Sequence, residues 1–122
     1  MARSDCKQYA FKVDSEERAA FNRVVAAQGG SSVKEIRRMV DDFLNDRSRY
    51  GWIMNSPKAG EAQVFANKEV RINALFDEIT LRRFSVTCQY ASVTASYVLR
   101  EIIIAYANGY ASCQPELVAE AM

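Results

Sequence analysis

The tightest constraint on this chain is a strand with no neighbour in sequence to pair with. In Lys7-Gln8-Tyr9-Ala10-Phe11-Lys12-Val13, the apolar Tyr9, Phe11 and Val13 alternate with Gln8, Ala10 and Lys12, the two-residue period of a strand with one buried face. The chain beyond Val13 turns helical. Asp14-Ser15-Glu16-Glu17 is a helix start, with Asp14 as cap and Glu17 three residues on. Phe21, Val24, Val25 and Gln28 recur at helical spacing, and Gly29-Gly30 ends the segment. Ser32-Val33-Lys34-Glu35 reads as a capping box with Ser32 as cap, opening a second helix whose apolar stripe is Ile36, Met39, Val40, Phe43 and Leu44. A lone strand flanked by helices leaves its backbone N–H and C=O groups unpaired, so a second strand is required.

The same chain supplies one. From Lys68, Val70, Ile72 and Ala74 alternate with Glu69, Arg71 and Asn73; Phe76-Asp77-Glu78 then opens a helix with Asp77 as cap. Leu81, Phe84, Cys88 and Ala91 share one face of that helix, but Ile79, Val86 and Tyr90 lie off it, which leaves its register open. Thr94 caps a further helix, Val93 is placed to staple against Val98, and Val98, Leu99, Ile102, Ile103 and Tyr106 form the stripe that Asn108-Gly109 ends. Strand, helix, turn, helix thus occurs twice, about sixty residues apart, with Ser32 aligned to Thr94 and Phe11 to Ile72. The expected fold is mostly α with one two-stranded antiparallel β-ribbon, a single domain over 1–122. Its halves are 7–44 and 68–109, with a linker over 45–67 and a tail over 110–122. In the linker, Pro57 and Gly60 stop the helix, and Trp52, Ile53, Val64 and Phe65 suggest packing; in the tail, Pro115 suits a first helical turn.

Composition narrows the chemistry. The chain is 49% apolar and 25% charged, which suits a globular core rather than disorder. No apolar run reaches membrane-spanning length, and no hydrophobic stretch comes after Met1-Ala2-Arg3-Ser4, so neither a membrane partner nor a signal peptide is expected. Cys6, Cys88 and Cys113 lack paired spacing, which suits free thiols in a reducing, cytoplasmic setting. There is no histidine, the acids are scattered and no phosphate-binding glycine loop is present; no enzyme, metal or cofactor is expected. The net charge of +1 is low for a nucleic-acid binder and requires positive charge to be segregated on one face: Lys7, Lys12, Arg71 and Lys34 on the ribbon side, with Asp41, Asp42 and Asp46 away from it.

Gly29-Gly30-Ser31-Ser32-Val33-Lys34-Glu35-Ile36-Arg37-Arg38 and Ser92-Val93-Thr94-Ala95-Ser96-Tyr97-Val98-Leu99-Arg100-Glu101, each behind a strand and a helix, resemble the ribbon-helix-helix DNA-binding proteins of the Arc and MetJ class. The tandem layout resembles accessory DNA-binding proteins of plasmid transfer, the TraY type, and T-DNA border accessory proteins of the VirC operon. The resemblance implies two ribbon-helix-helix units fused as an intramolecular pseudo-dimer, monomeric in solution, that inserts its ribbon into the major groove of double-stranded DNA. It implies a relaxase or other transfer protein as partner. Carried over by position, it makes Gln8, Ala10, Lys12, Glu69, Arg71 and Asn73 base-contacting residues, and Ser32, Val33, Lys34, Thr94 and Ala95 phosphate-contacting ones. Each has a plainer reading beside it: outward polar residues are the solvated face of a strand, Ser32 and Thr94 are helix caps, and Arg37-Arg38 is a solvated helix face. Tyr50 and Trp52 suit linker packing better than base stacking. A transcriptional repressor and a protein-interaction module without DNA affinity stay open beside the transfer role.

Overall fold

The computed structural model of the chain describes residues 6–109. The expected start at Pro115, Cys113 and the rest of the tail lie outside the described residues, as do residues 1–5. The elements run β1 (Cys6–Asp14), α1 (Ser15–Ala27), α2 (Ser32–Asn45), a 3₁₀ turn (Arg47–Tyr50), the single-turn α3 (Gly51–Met54), a second 3₁₀ turn (Pro57–Gly60), β2 (Glu69–Asp77), α4 (Glu78–Tyr90) and α5 (Ala95–Ala107). The described chain is mostly helical, and its one sheet is the antiparallel pair β1–β2. Phe11 lies opposite Ile72, Ala10 opposite Asn73 and Lys12 opposite Arg71.

Alternation decides which ribbon face is covered. Phe11, Val13, Ile72, Ala74 and Phe76 are buried, while Gln8, Ala10, Lys12, Glu69, Arg71, Asn73 and Leu75 are exposed. The buried face rests on the helices: α2 packs on β2, α5 on β1, α1 on α5 and α2 on α4. Ile36, Val40, Ile102 and Ile103 sit in one core with the strand residues, and Val70 packs against its edge. Aromatic side chains lock the crossings, Phe21 edge-on to Tyr106 with ring centres 5.3 Å apart and Phe43 edge-on to Phe84 at 5.7 Å.

Matched elements recur at a constant offset of 63 residues, as in the caps Asp14 and Asp77 and the caps Ser31 and Thr94. This corrects the alignment drawn from sequence. The cap of α2 is Ser31, not Ser32: the Ser31 hydroxyl accepts from the Lys34 amide at 3.5 Å, while the Ser32 hydroxyl donates to Asn22 Oδ1 at 3.1 Å. β2 runs past Ala74, through Leu75 and Phe76, because the alternation continues to the Asp77 cap. The open register of α4 resolves with Phe84 and Cys88 buried and Ile79, Val86 and Tyr90 exposed by 71%, 43% and 87%.

The linker is docked over much of its length. Ile53 is buried and its carbonyl accepts from the Tyr97 hydroxyl at 2.9 Å; the buried Tyr50 donates to Asp42 Oδ2 at 2.6 Å. Arg100 holds the far end, donating to the Val64 carbonyl at 2.8 Å and lying over the Phe65 ring at 4.6 Å, with a bidentate pair to Glu17 at 2.8 and 2.9 Å. Trp52 and Val64, expected to pack, are exposed by 37% and 75%.

One turn of each half carries a left-handed residue: Gly29 at φ 71° after α1 and Ser92 at φ 61° after α4. Both lie at the same point of the 63-residue offset, so the same chain reversal is built once with the residue that suits it and once with a side chain that strains it. Ser92→Gly is expected to stabilise the protein by about 1 kcal/mol and Gly29→Ala to destabilise it by about 1 kcal/mol. Paired thermal melts check this, and equal melting temperatures for the two variants would contradict it.

Candidate nucleic-acid interface

β1 and β2 have nine residues each, and their midpoints, Ala10 and Asn73, face each other. Outward side chains therefore form three cross-strand rows: Gln8 with Leu75, Ala10 with Asn73, and Lys12 with Arg71. All six are exposed. A two-stranded ribbon of this kind matches the width of the major groove. The rows place five of the residues expected to contact bases, Gln8, Ala10, Lys12, Arg71 and Asn73, together on one solvent-facing surface, while the sixth, Glu69, is exposed beyond them at the ribbon's end, opposite the buried Asp14. Leu75, 38% exposed, joins them; a strand that stops at Ala74 leaves it out. The continued alternation Val70, Ile72, Ala74, Phe76 is the signal for it.

Charge on this face is uneven. Lys12 Nζ lies 2.9 Å from Glu69 Oε2, a diagonal pair across the ribbon with both side chains about half exposed. Arg71 makes no hydrogen bond or ion pair among the described residues and so offers its full set of donors. Lys7 lies on the inward parity opposite Phe76 but is exposed at the ribbon's end, and Lys34 is exposed in the first turn of α2. Of the arginines in that region, Arg38 is bound to Glu35 at 2.5 Å. The acidic Asp42 is tied to Arg49 and Tyr50 in the linker.

The helix starts expected to meet phosphate divide by role. In α2, Ser31 satisfies the Lys34 amide, which leaves the Ser32 and Val33 amides as the first free donors of the helix. In α5, Thr94 accepts from the Tyr97 amide at 3.1 Å, which leaves the amides of Ala95 and of Ser96, a residue not singled out from sequence. Thr94 itself acts as the cap. The start of α5 touches the ribbon directly, since the Tyr9 hydroxyl and Ser96 Oγ are 3.0 Å apart. Cys88 lies in the core beneath the ribbon, and burial pushes its thiol pKa up to about 11.

Two aspartates fix where strand turns into helix. Asp14 is buried and accepts from the Glu16 amide at 3.0 Å, the Asn67 amide at 2.5 Å and Asn67 Nδ2 at 2.8 Å; Ser15 N donates to the Lys68 carbonyl at 2.7 Å. Glu17 completes the box by accepting from the Asp14 amide at 2.9 Å. Asp77 accepts from the Thr80 amide at 3.3 Å. No protein-family model, curated protein sequence or solved structure matches the chain.

The hydrogen bonds from Asn67 hold the Asp14 carboxyl below the ordinary aspartate range, and that from Thr80 does the same for Asp77. A depressed native pKa contributes stability that is present above the unfolded value of about 3.9 and is lost as pH falls through the native value. The melting temperature should therefore hold from neutral pH to about 4 and fall below it. Asp14→Asn, which keeps a capping oxygen but removes the charge, should flatten that acid limb. An acid limb of unchanged depth in the variant would show that Asp14 does not contribute to it.

Proposed function

We propose that the chain is two ribbon-helix-helix units fused as an intramolecular pseudo-dimer, and that it binds double-stranded DNA with the ribbon in the major groove. The observation that carries this reading is the exposed outer face of the ribbon, where Gln8, Lys12, Arg71 and Asn73 present hydrogen-bonding side chains in facing rows. The constant offset of 63 residues and the paired crossings Phe21–Tyr106 and Phe43–Phe84, related by that offset, support the pseudo-dimer. In this reading Arg71 donates to guanine O6 and N7, Gln8 and Asn73 pair with adenine, and Glu69 holds Lys12 near the groove wall. The amides at the starts of α2 and α5 and the Lys34 ammonium take phosphates on either side.

The role that fits a one-chain binder of this type is accessory. The protein works as a cytoplasmic monomer that marks a specific duplex site for a relaxase or similar transfer protein, promoting processing or transfer of plasmid or T-DNA. A repressor needs the same duplex contact. A protein-interaction reading has its own support, namely the near-neutral charge and the exposed apolar stripe Ile79, Val86 and Tyr90 along α4.

Salt separates the two. DNA binding through phosphates should weaken steeply as salt rises, since each neutralised phosphate releases counterions. In competition between a specific and a scrambled duplex, Arg71→Ala should cost about 1–3 kcal/mol at the specific site and relax the preference there. Lys34→Ala should weaken both duplexes alike and lower the salt slope by about one unit. An unchanged specific-to-scrambled ratio in folded Arg71→Ala would remove the ribbon as reading head, and absence of binding at low salt would favour the protein-interaction reading. Separately, Glu69→Gln releases Lys12 and removes a negative charge from the face, so affinity for every duplex should rise, read in the same assay at fixed salt.

A further inference from the structure

The three rows of the ribbon are not chemically alike. The row Gln8–Leu75 carries no charge, and the row Lys12–Arg71 carries two cations, one of them paired with Glu69 at 2.9 Å. Between them lies the midpoint row, Ala10–Asn73. The 63-residue offset that matches the halves sends Gln8 to Arg71 and Lys12 to Leu75. An amide is thus matched with a guanidinium and an ammonium with an isobutyl group. Turning the ribbon end for end does not reproduce its surface at either outer row.

Resting on the DNA reading above, we infer that the ribbon reads a polarised site, with an A·T-selective end under Gln8 and Leu75 and a G·C-selective end under Arg71, and so binds in one orientation. Physical chemistry assigns the ends. A glutamine amide both accepts from adenine N6 and donates to N7, whereas the only apolar feature on a base edge in the major groove is the thymine 5-methyl. Leu75 is the large apolar side chain of the outward rows, and it has more reach than Ala10. At the other end, Arg71 has no competing partner among the described residues, and its forked donors match guanine O6 and N7. Lys12 is held by Glu69 and contributes less selectivity than its position alone suggests. Lys7 lies near the neutral end, but its inward parity opposite Phe76 directs it to the rim of the ribbon rather than its outward rows. The outer rows are four residues apart along β1, on the order of 14 Å, which spans roughly three to four base pairs.

The test is selection of bound duplexes from a randomised pool by the full chain at low salt, followed by competition with the selected sequence. The expected consensus is non-palindromic, with an A·T pair at one end and a G·C pair about three to four positions away. Replacing the thymine at the A·T end with deoxyuridine, which deletes only the methyl, should weaken the wild-type complex about fourfold. Leu75→Ala should abolish that thymine-over-uracil preference and leave the guanine preference intact. Gln8→Ala should relax adenine selection at the same end by about tenfold, and Arg71→Ala should relax guanine selection at the other end alone. Variants are compared only where their melting temperatures match the parent. A palindromic consensus, or Gln8→Ala and Arg71→Ala relaxing the same base pair, overturns the polarity while leaving DNA binding in place. A pool from which no duplex is retained overturns the DNA reading, and the polarity with it.

Discussion

Everything in this molecule depends on β1 and β2 finding each other across more than fifty residues of intervening chain. Neither strand has another partner among the described residues, so neither can satisfy its backbone groups until the other arrives. That pairing also sets the helices, because each half lays its second helix on the other half's strand: α2 on β2 and α5 on β1. The core is therefore shared rather than divided. Phe21 of α1 meets Tyr106 of α5, Phe84 of α4 meets Phe43 of α2, and Tyr106 donates to Gln28 at 2.6 Å. Half of the molecule on its own would expose an apolar strand face and two apolar helix stripes, a burial loss far larger than the marginal stability of a small domain.

Strand parity is readable from sequence because a period of two has only two phases, and the runs Tyr9, Phe11, Val13 and Val70, Ile72, Ala74 choose between them. The caps Asp14, Asp77 and Thr94 are readable because each precedes an amide it can satisfy locally. Ser31 is not, since two serines stand side by side and local rules do not choose between them. The choice is made by Asn22, ten residues away, which takes the Ser32 hydroxyl. In the same way the face of α4 cannot be settled from its own letters, because apolar residues occur more than halfway round it; Phe43 on α2 settles it by meeting Phe84. The Lys12–Glu69 pair and the Asn67 bonds to Asp14 join residues more than fifty positions apart, so they exist only once the ribbon's register does.

The two helix starts at the ribbon's ends are served differently. At α1, the linker returns to cover the first turn: Asn67 binds Asp14, Lys68 accepts from Ser15, and Arg100 ties Glu17 to the Val64 carbonyl. At the matching position beside α4 the offset places Arg37, exposed, near Asp77, whose carboxyl its charge helps hold down. Glu17, the acid that grips Arg100, is matched by Thr80, which has no charge to offer. The segment joining the halves thus serves as packing material for one of them, and the two ends of the ribbon differ in surroundings as well as in outward side chains.

Holding both strands in one polypeptide also changes how such a surface can be altered by mutation. In a ribbon made by two identical chains, one codon writes two positions, and every substitution lands on both sides of the axis. Here Gln8 and Arg71 occupy matched places but are inherited separately, as are Lys12 and Leu75. A single nucleotide change can therefore retune one end of the ribbon and leave the other untouched, and the two ends are free to drift toward different chemistries under different selection.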